Sequence, residues 1–477
     1  MVKTLKVVGN NPEKELDLIL VNPPSQDIED ERIEINKIRS IPAYGLGVLA
    51  TIAKRDGFNV GIIDAESQMV GCDSIAFTIN SLNPRIVGFG VNTPMYHTTQ
   101  KICRNINPEI SIVLGGIHPT TLPELTLNDF RSFNLHSIIR GPAEESISAI
   151  LKGIKKEMIE GASYFDDQGV IIKKPLPIIK RLEDYNFVDR SFFINDPFVE
   201  EDKKIAYVLA SRGCYKKCTF CSIHASWGQN ILFRNEEHLS SEMSSLFESE
   251  GVNTFRFLDD LFLVSPGNFQ KFEKSLDNLG LIGKVMWYAN SRVDVLKRFK
   301  DSDLDRLIQS GCRGIGIGIE SATQRILEET KKEITVKEAE DVVKRCTERG
   351  IDTYCYFIVG FPSETEREIK DTVHFAVHLS QNYGAKCGLN PYKLYPGTAD
   401  FYSAIGENPS KETIDRIIKF KSLKLVHNAD DEYTKNKLQE RERFTVIHDP
   451  NYFNPSLVEP RIIEESIRDC LLRTISR

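Results

Sequence analysis

No stretch of about 18 apolar residues, the length that would span a bilayer as a helix, occurs anywhere in this chain. Positive charge is also in short supply. The 61 basic residues are outnumbered by 68 acidic ones, a net charge of −7, so the clustered basic footprint that nucleic acid or an anionic membrane requires is missing and a polynucleotide substrate is disfavoured. The opening Met1-Val-Lys-Thr-Leu-Lys-Val-Val-Gly-Asn10 has too short an apolar run for a secretory signal, which predicts a cytosolic protein. No G-x-G-x-x-G follows a predicted strand, which argues against a dinucleotide. Cys72, Cys103, Cys312, Cys346, Cys355, Cys387 and Cys470 are scattered without C-x-x-C spacing; they read as core thiols of a reducing compartment and argue against a second metal cluster. Hydrophobic residues at 41% and charged residues at 27% fit a folded globular chain, and 477 residues suffice for about three domains.

The remaining three cysteines stand together in Ser211-Arg-Gly-Cys-Tyr-Lys-Lys-Cys-Thr-Phe-Cys-Ser-Ile-His224, with Cys214, Cys218 and Cys221 separated by three and two residues. A four-iron cluster is normally held by four thiolates, so three leave one iron open to an exogenous ligand. A structural Cys3His zinc site with His224 is the alternative, although its ligands would all fall within eleven residues, whereas zinc knuckles are usually a dozen or more residues apart. The loop resembles the signature of the radical S-adenosylmethionine (SAM) superfamily. That resemblance implies a 4Fe–4S cluster whose open iron is chelated by SAM, reductive cleavage to a 5′-deoxyadenosyl radical, and an electron donor such as flavodoxin or ferredoxin. It also implies that Phe220 lies against the adenine and that His224 neighbours the cluster.

From Leu16 the chain alternates β-rich runs (Leu16–Val21, Val60–Asp64, Ile86–Val91, Ser111–Leu114, Ser137–Ile139) with helical ones (Leu46–Arg55, Asp73–Leu82, Met95–Asn105, Leu122–Phe130, Ala143–Lys152). Five βα units predict a Rossmann-like or flavodoxin-like domain over residues 1–160, with its ligand at the carboxyl ends of the strands. Those ends read Val21-Asn-Pro-Pro24, Gly90-Val-Asn-Thr-Pro94 and Leu114-Gly-Gly-Ile-His-Pro-Thr120. Together with Ile41-Pro-Ala-Tyr-Gly-Leu-Gly47 they resemble a cobalamin-binding domain. The resemblance implies that Asn92, Thr93, Gly115 and Gly116 hold the nucleotide tail and that His118 shapes that site. Where the family's D-x-H-x-x-G would supply a histidine to cobalt, Asn22-Pro-Pro-Ser-Gln26 stands instead, so a lower ligand from the protein is not expected. A degenerate sheet that binds nothing is the alternative.

Residues 161–200 lack a sustained period and read as a linker. Six further strands, Ile205–Ala210, Thr254–Leu258, Val285–Asn290, Gly314–Ile319, Thr353–Val359 and Lys386–Leu394, alternate with helices over 201–400, and Thr335-x-x-Glu338 and Ser363-x-x-Glu366 read as capping boxes. The alternation allows, and the resemblance implies, a partial (β/α)6 TIM-like barrel with its site at the strand carboxyl ends. There, Asp259 and Asp260 are candidates for the SAM ammonium, Arg292 for its carboxylate, Glu320 for the ribose hydroxyls and Gly360 for the adenine. Asn390-Pro-Tyr-Lys-Leu-Tyr-Pro-Gly-Thr398 is close to a signature of the cobalamin-binding branch. Tyr354, Cys355, Tyr356 and Cys387 either face the interior, as hydrogen relays or substrate contacts, or pack; no catalytic residue is assigned. In the C-terminal segment, 401–477, Ala404–Glu442 reads as helices broken by a turn at Asn428-Ala-Asp-Asp431, Phe444–Pro455 as extended and Ile462–Ile475 as amphipathic helix.

The resulting expectation is a mixed α/β, cobalamin-dependent radical SAM enzyme acting on a small molecule, as a methyltransferase to an unactivated carbon. An oxidative cyclase or ring-rearranging enzyme is the second reading, and a non-catalytic cobalamin or metal sensor a third.

Overall fold

The computed structural model describes residues 5–9, 11, 13–25, 27, 41–185, 187–200, 202–406, 409–410, 412–414, 458 and 460–475. The turn at 428–431 and the extended run 444–455 lie outside these residues, as does all but the start of the helical run beginning at 404. The chain forms two compact units, one of Met1–Asp196 with Ser222–Gly228 and Tyr395–Tyr402, the other of Pro197–Cys221, Gln229–Leu394 and Ser403–Arg477. Among the described residues no helix is long and apolar enough to cross a membrane.

In the first unit, β1 (Leu18–Asn22), β2 (Val60–Asp64), β3 (Ile86–Gly90), β4 (Ser111–Gly115) and β5 (Leu135–Ile139) are parallel in the order β2-β1-β3-β4-β5. Their residues are mostly buried, because helices cover both faces of such a sheet. This is the flavodoxin-like order, whose topological switch falls between β1 and β3. The segment read as a linker departs from expectation. Ala162–Phe165 (β6) and Ile171–Lys173 (β7) form a hairpin that extends the sheet antiparallel from β5. Asp166 makes the turn by accepting from the amides of Gln168 and Val170 at 2.9 and 2.8 Å, with Gly169 left-handed at φ +78°.

The second unit is built on β8 (Phe198–Glu200), β9 (Lys203–Val208), β12 (Thr254–Phe257), β13 (Met286–Arg292), β14 (Cys312–Glu320), β15 (Asp352–Val359) and β16 (Lys386–Pro391), side by side in that order. Six of these run parallel, and β8 pairs antiparallel at the edge. Between β9 and β12 a separate hairpin, β10 (Ser211–Gly213) with β11 (Ile231–Phe233), brackets the cysteine loop. Alternate side chains such as Val208, Phe255, Trp287, Ile317 and Phe357 enter one core with the covering helices. Those helices include 236–250, 266–278, 301–309, 336–347, 366–383 and 460–475. Thr335 and Glu338 form the expected capping box. The second box is made by Thr365 and Glu368 rather than Ser363 and Glu366; Ser363 instead bonds Glu329 and Arg325. The C-terminal helix, Pro460–Ile475, closes the layer, with Ile463, Ile467 and Cys470 in the core.

Candidate active site

Chain direction brings every parallel strand of the second unit to the same edge, and the cysteine loop leaves from β9 at that edge. Asp259, beyond the end of β12, is wholly buried and accepts from Ala210 N at 3.0 Å and Ser211 Oγ at 2.6 Å. Burial raises its carboxyl to about 7 even against these hydrogen bonds. Asp259 thus fixes the take-off of the cysteine loop. Its neighbour Asp260 is exposed, accepting from Gly213 N at 3.4 Å, and is the one of the pair open to a ligand.

Cys214 and Cys221 are half-buried and Cys218 buried, and no disulfide involves any described cysteine. Among the described residues no three His, Cys, Asp or Glu side chains converge on one metal position. A four-iron cube takes one thiolate at each of separate corners. The donor set of three thiols in one short loop fits the cube with an open iron. His224, with its Nε2 buried and unpartnered, opens the short helix His224–Trp227 of the first unit.

Arg292, at the end of β13, is buried and spends its fork on three partners: Nε on Asp294 at 2.8 Å, Nη1 on the Cys218 sulfur at 3.3 Å and Nη2 on the carbonyl of Lys332 at 2.6 Å. Arg292 thereby ties the end of β13 to the cysteine loop at Cys218. Asp294 is held in turn by Lys216 of the cysteine loop at 2.7 Å, and Lys216 also reaches Glu333 at 2.7 Å. Glu320 ends β14 next to Lys332, whose Nζ donates to its Oε1 at 2.7 Å. Phe220 packs edge-on against Phe361, 5.8 Å between centroids, and Phe361 leans on Tyr392. The loop that carries Phe361 is folded by Glu364, whose Oε2 accepts from Gly360 N at 2.5 Å and Phe361 N at 3.1 Å while Oε1 is buried without a partner. Burial pushes this carboxyl up to about 7. Gly360 is left-handed at φ +87°, and a Cβ there would lie 2.6 Å from Ile463.

The four interior candidates separate. Cys355 is buried among the covering helices with the half-buried Cys387 beside it in register. Tyr354 and Tyr356 alternate to the opposite face, where Tyr356 is 40% exposed. The thiols therefore pack against the helices, and the Tyr356 side chain lies on the other face of the sheet.

In the first unit Gly116 adopts φ +103°, and a Cβ on it would stand 2.6 Å from the backbone oxygen of Val91, so only glycine fits. Gly115 beside it has only the Ile139 carbonyl within reach of a Cβ, at 3.7 Å, and Asn92 is exposed at the end of β3. His118 is wholly buried, its Nδ1 3.2 Å from Thr93 Oγ1 and its ring 4.2 Å from that of Tyr96. Burial lowers it to about 3, so it is neutral and braces Thr93 from beneath.

Comparison with known proteins agrees with both units. Residues 208–376 match the radical SAM superfamily and residues 39–151 the B12 binding domain. An uncharacterized methyltransferase of Pyrococcus horikoshii is 30% identical over 422 residues, covering 86% of this chain and 89% of that one. The chain belongs to the cobalamin-dependent radical SAM methyltransferase family. An anaerobic magnesium-protoporphyrin IX monomethyl ester cyclase of Cereibacter sphaeroides is 26% identical over 352 residues, 71% of this chain and 56% of that one. The fold is shared with the radical SAM methyltransferase TsrM of Kitasatospora setae, solved with cobalamin and a 4Fe–4S cluster, at TM-score 0.64 and 18% identity over 96% of this chain and 89% of that one. A family member of this kind is an enzyme that uses a 4Fe–4S cluster, SAM and cobalamin. Sequence reasoning missed the residues that position the named ones: Lys216, Asp294, Lys332 and Glu364. Lys216 stands inside the cysteine motif and Glu364 inside Ser363-x-x-Glu366, whereas Lys332 lies in the run Glu328-Glu-Thr-Lys-Lys-Glu333, which reads as solvated surface.

Proposed function

We propose that this enzyme transfers a methyl group to an unactivated carbon of a small molecule. The observation that carries the reading is the three-cysteine loop, with Cys218 under the Arg292 guanidinium, in a chain whose other sheet keeps a glycine-only turn at Gly116. When bound, the cluster and one SAM would supply the 5′-deoxyadenosyl radical that takes a hydrogen from substrate, and cobalamin would supply the methyl group, taken from a second SAM that leaves as S-adenosylhomocysteine. Cys214, Cys218 and Cys221 hold three irons. Asp260 would accept from the SAM ammonium, Arg292 beside Cys218 would face the carboxylate, Glu320 would accept from the ribose, and Phe220 with the loop from Gly360 would flank the adenine. Asn92, Thr93, Gly115 and Gly116 cradle the cobalamin tail, with His118 behind Thr93. No imidazole is offered to cobalt from the end of β1, where Asn22 bonds Asp64 at 2.9 Å. Tyr356 faces the substrate space, and an electron donor such as flavodoxin or ferredoxin reduces the cluster.

The test is anaerobic reconstitution followed by iron and sulfide analysis and incubation with SAM and a reductant. The parent is expected to hold four irons per chain and to form 5′-deoxyadenosine, and Cys214→Ala, Cys218→Ala and Cys221→Ala each to lose both. Full SAM cleavage in any of these variants sinks the reading. SAM cleavage with a substrate that changes without gaining a methyl group favours cyclisation instead, the reaction named for the Cereibacter relative.

A further inference from the structure

The geometry points to Lys332 as a positioning residue that aims Glu320 at the ribose of SAM, an inference resting on the proposed role of Glu320. Glu320 sits at φ +74°, a left-handed conformation that is strained for a residue with a side chain, and the register with β15 slips between Gly318 and Glu320. The bend turns the carboxylate back over β14. A Cβ on Gly318 would lie 2.9 Å from Lys332 Nζ, so the glycine leaves the space in which the ion pair lies. Lys332 is only 3% exposed.

A buried ion pair is weak evidence for stability, since desolvation offsets most of its attraction, so the pair is better understood by what it orients. Lys332 occupies Oε1 and leaves Oε2 to accept from ligand hydroxyls. The backbone around it is tied into the rest of the site. Its carbonyl receives Arg292, the carbonyl of Thr330 receives Thr219 N at 3.1 Å, and the carbonyl of Lys331 lies 3.9 Å from the Cys218 sulfur. Lys331 and Glu333 on either side are themselves left-handed, at φ +53° and +60°. One four-residue stretch, Thr330–Glu333, thus joins the cysteine loop, the β13 arginine and the β14 carboxylate. Such strain persists where the surroundings over-determine it, as at ligand clamps.

The experiment uses the reconstituted full chain and two probes, S-adenosylhomocysteine and its 2′,3′-dideoxy analogue, with Kd measured anaerobically by calorimetry beside iron content. The parent should prefer the ribose compound by at least about tenfold, the usual worth of a hydrogen bond to a charged group. Lys332→Met should cut that preference to about threefold or less, leave iron content unchanged and bind the dideoxy compound as the parent does; Lys332→Arg should restore most of the preference. Should Lys332→Met fail to fold, Lys332→Gln carries the same expectation. An unchanged preference in the variant, or equal losses for both compounds, overturns the proposal. Failure of the reading beneath it looks different: the parent shows no preference, or Glu320→Gln keeps the preference in full.

Discussion

Glu364 shows how a single residue can be legible in sequence while its role is not. It lies four residues past the adenine candidate Gly360 in the loop after β15, yet the carboxylate turns inward onto the amides of Gly360 and Phe361, with one oxygen left unpartnered. Its pKa is raised from 4.5 to about 7 by burial, so its contribution to stability is fully present below about 4.5 and is lost as pH rises through 7. The loss is bounded at roughly 3 kcal/mol. Glu364→Gln keeps an acceptor for both amides and has no charge to bury, so its stability relative to the parent should grow by about 2–3 kcal/mol between pH 5 and pH 8. Denaturant titrations of both proteins at the two pH values check this; parallel shifts would show that the carboxyl is not the group being titrated. The same distinction between motif and role applies to Asp259, which the sequence places with Asp260 at a strand end and the fold uses to hold Ser211. What no sequence pattern separates is which of two adjacent carboxylates faces inward, because the chain past a strand end has no fixed period.

At the scale of elements, the parallel strands were readable because continuous β-branched runs mark strands buried on both faces, and β2, for one, begins and ends as expected. The hairpin of β6 and β7 was not, although Asp166-Asp-Gln-Gly169 is a turn signal; strands of four and three residues are too short to show a period. The capping box slipped by two residues for a related reason, since Ser363 and Thr365 both have an acidic residue three positions on and only packing decides between them. The C-terminal helix was legible as amphipathic, and the structure adds where its face goes: Ile467 is fully buried in the core of the second unit, and Ile463 lies against Gly360. Ile467→Ala should therefore destabilise that unit by about 2–5 kcal/mol, read as a lowered denaturation midpoint. A cost under about 0.5 kcal/mol, the range of surface substitutions, would mean that the helix is not part of the core.

The whole molecule divides its chemistry between two sheets with separate cores, and this division can be tested by damaging one of them. Gly116→Ala places a Cβ against the Val91 backbone at φ +103°, at the end of β3 where the cobalamin tail is proposed to lie. The backbone cannot yield as a flexible side chain would, so a local cost of roughly 1–3 kcal/mol is expected together with displacement of Asn92 and Thr93. Cobalamin affinity should fall at least about tenfold, which corresponds to 1.4 kcal/mol. The cysteine loop, Arg292 and the Glu320–Lys332 pair belong to the other unit and should be untouched. The variant is therefore expected to keep its iron and to form 5′-deoxyadenosine while the methylated product and S-adenosylhomocysteine disappear together. Measured side by side with the parent, which should release both nucleosides in turnover, this pattern assigns methyl delivery to the first unit and radical formation to the second. Normal methylation with weakened cobalamin binding would break the assignment of the first sheet. Loss of iron in step with loss of cobalamin would instead show that the two units do not act as separable parts.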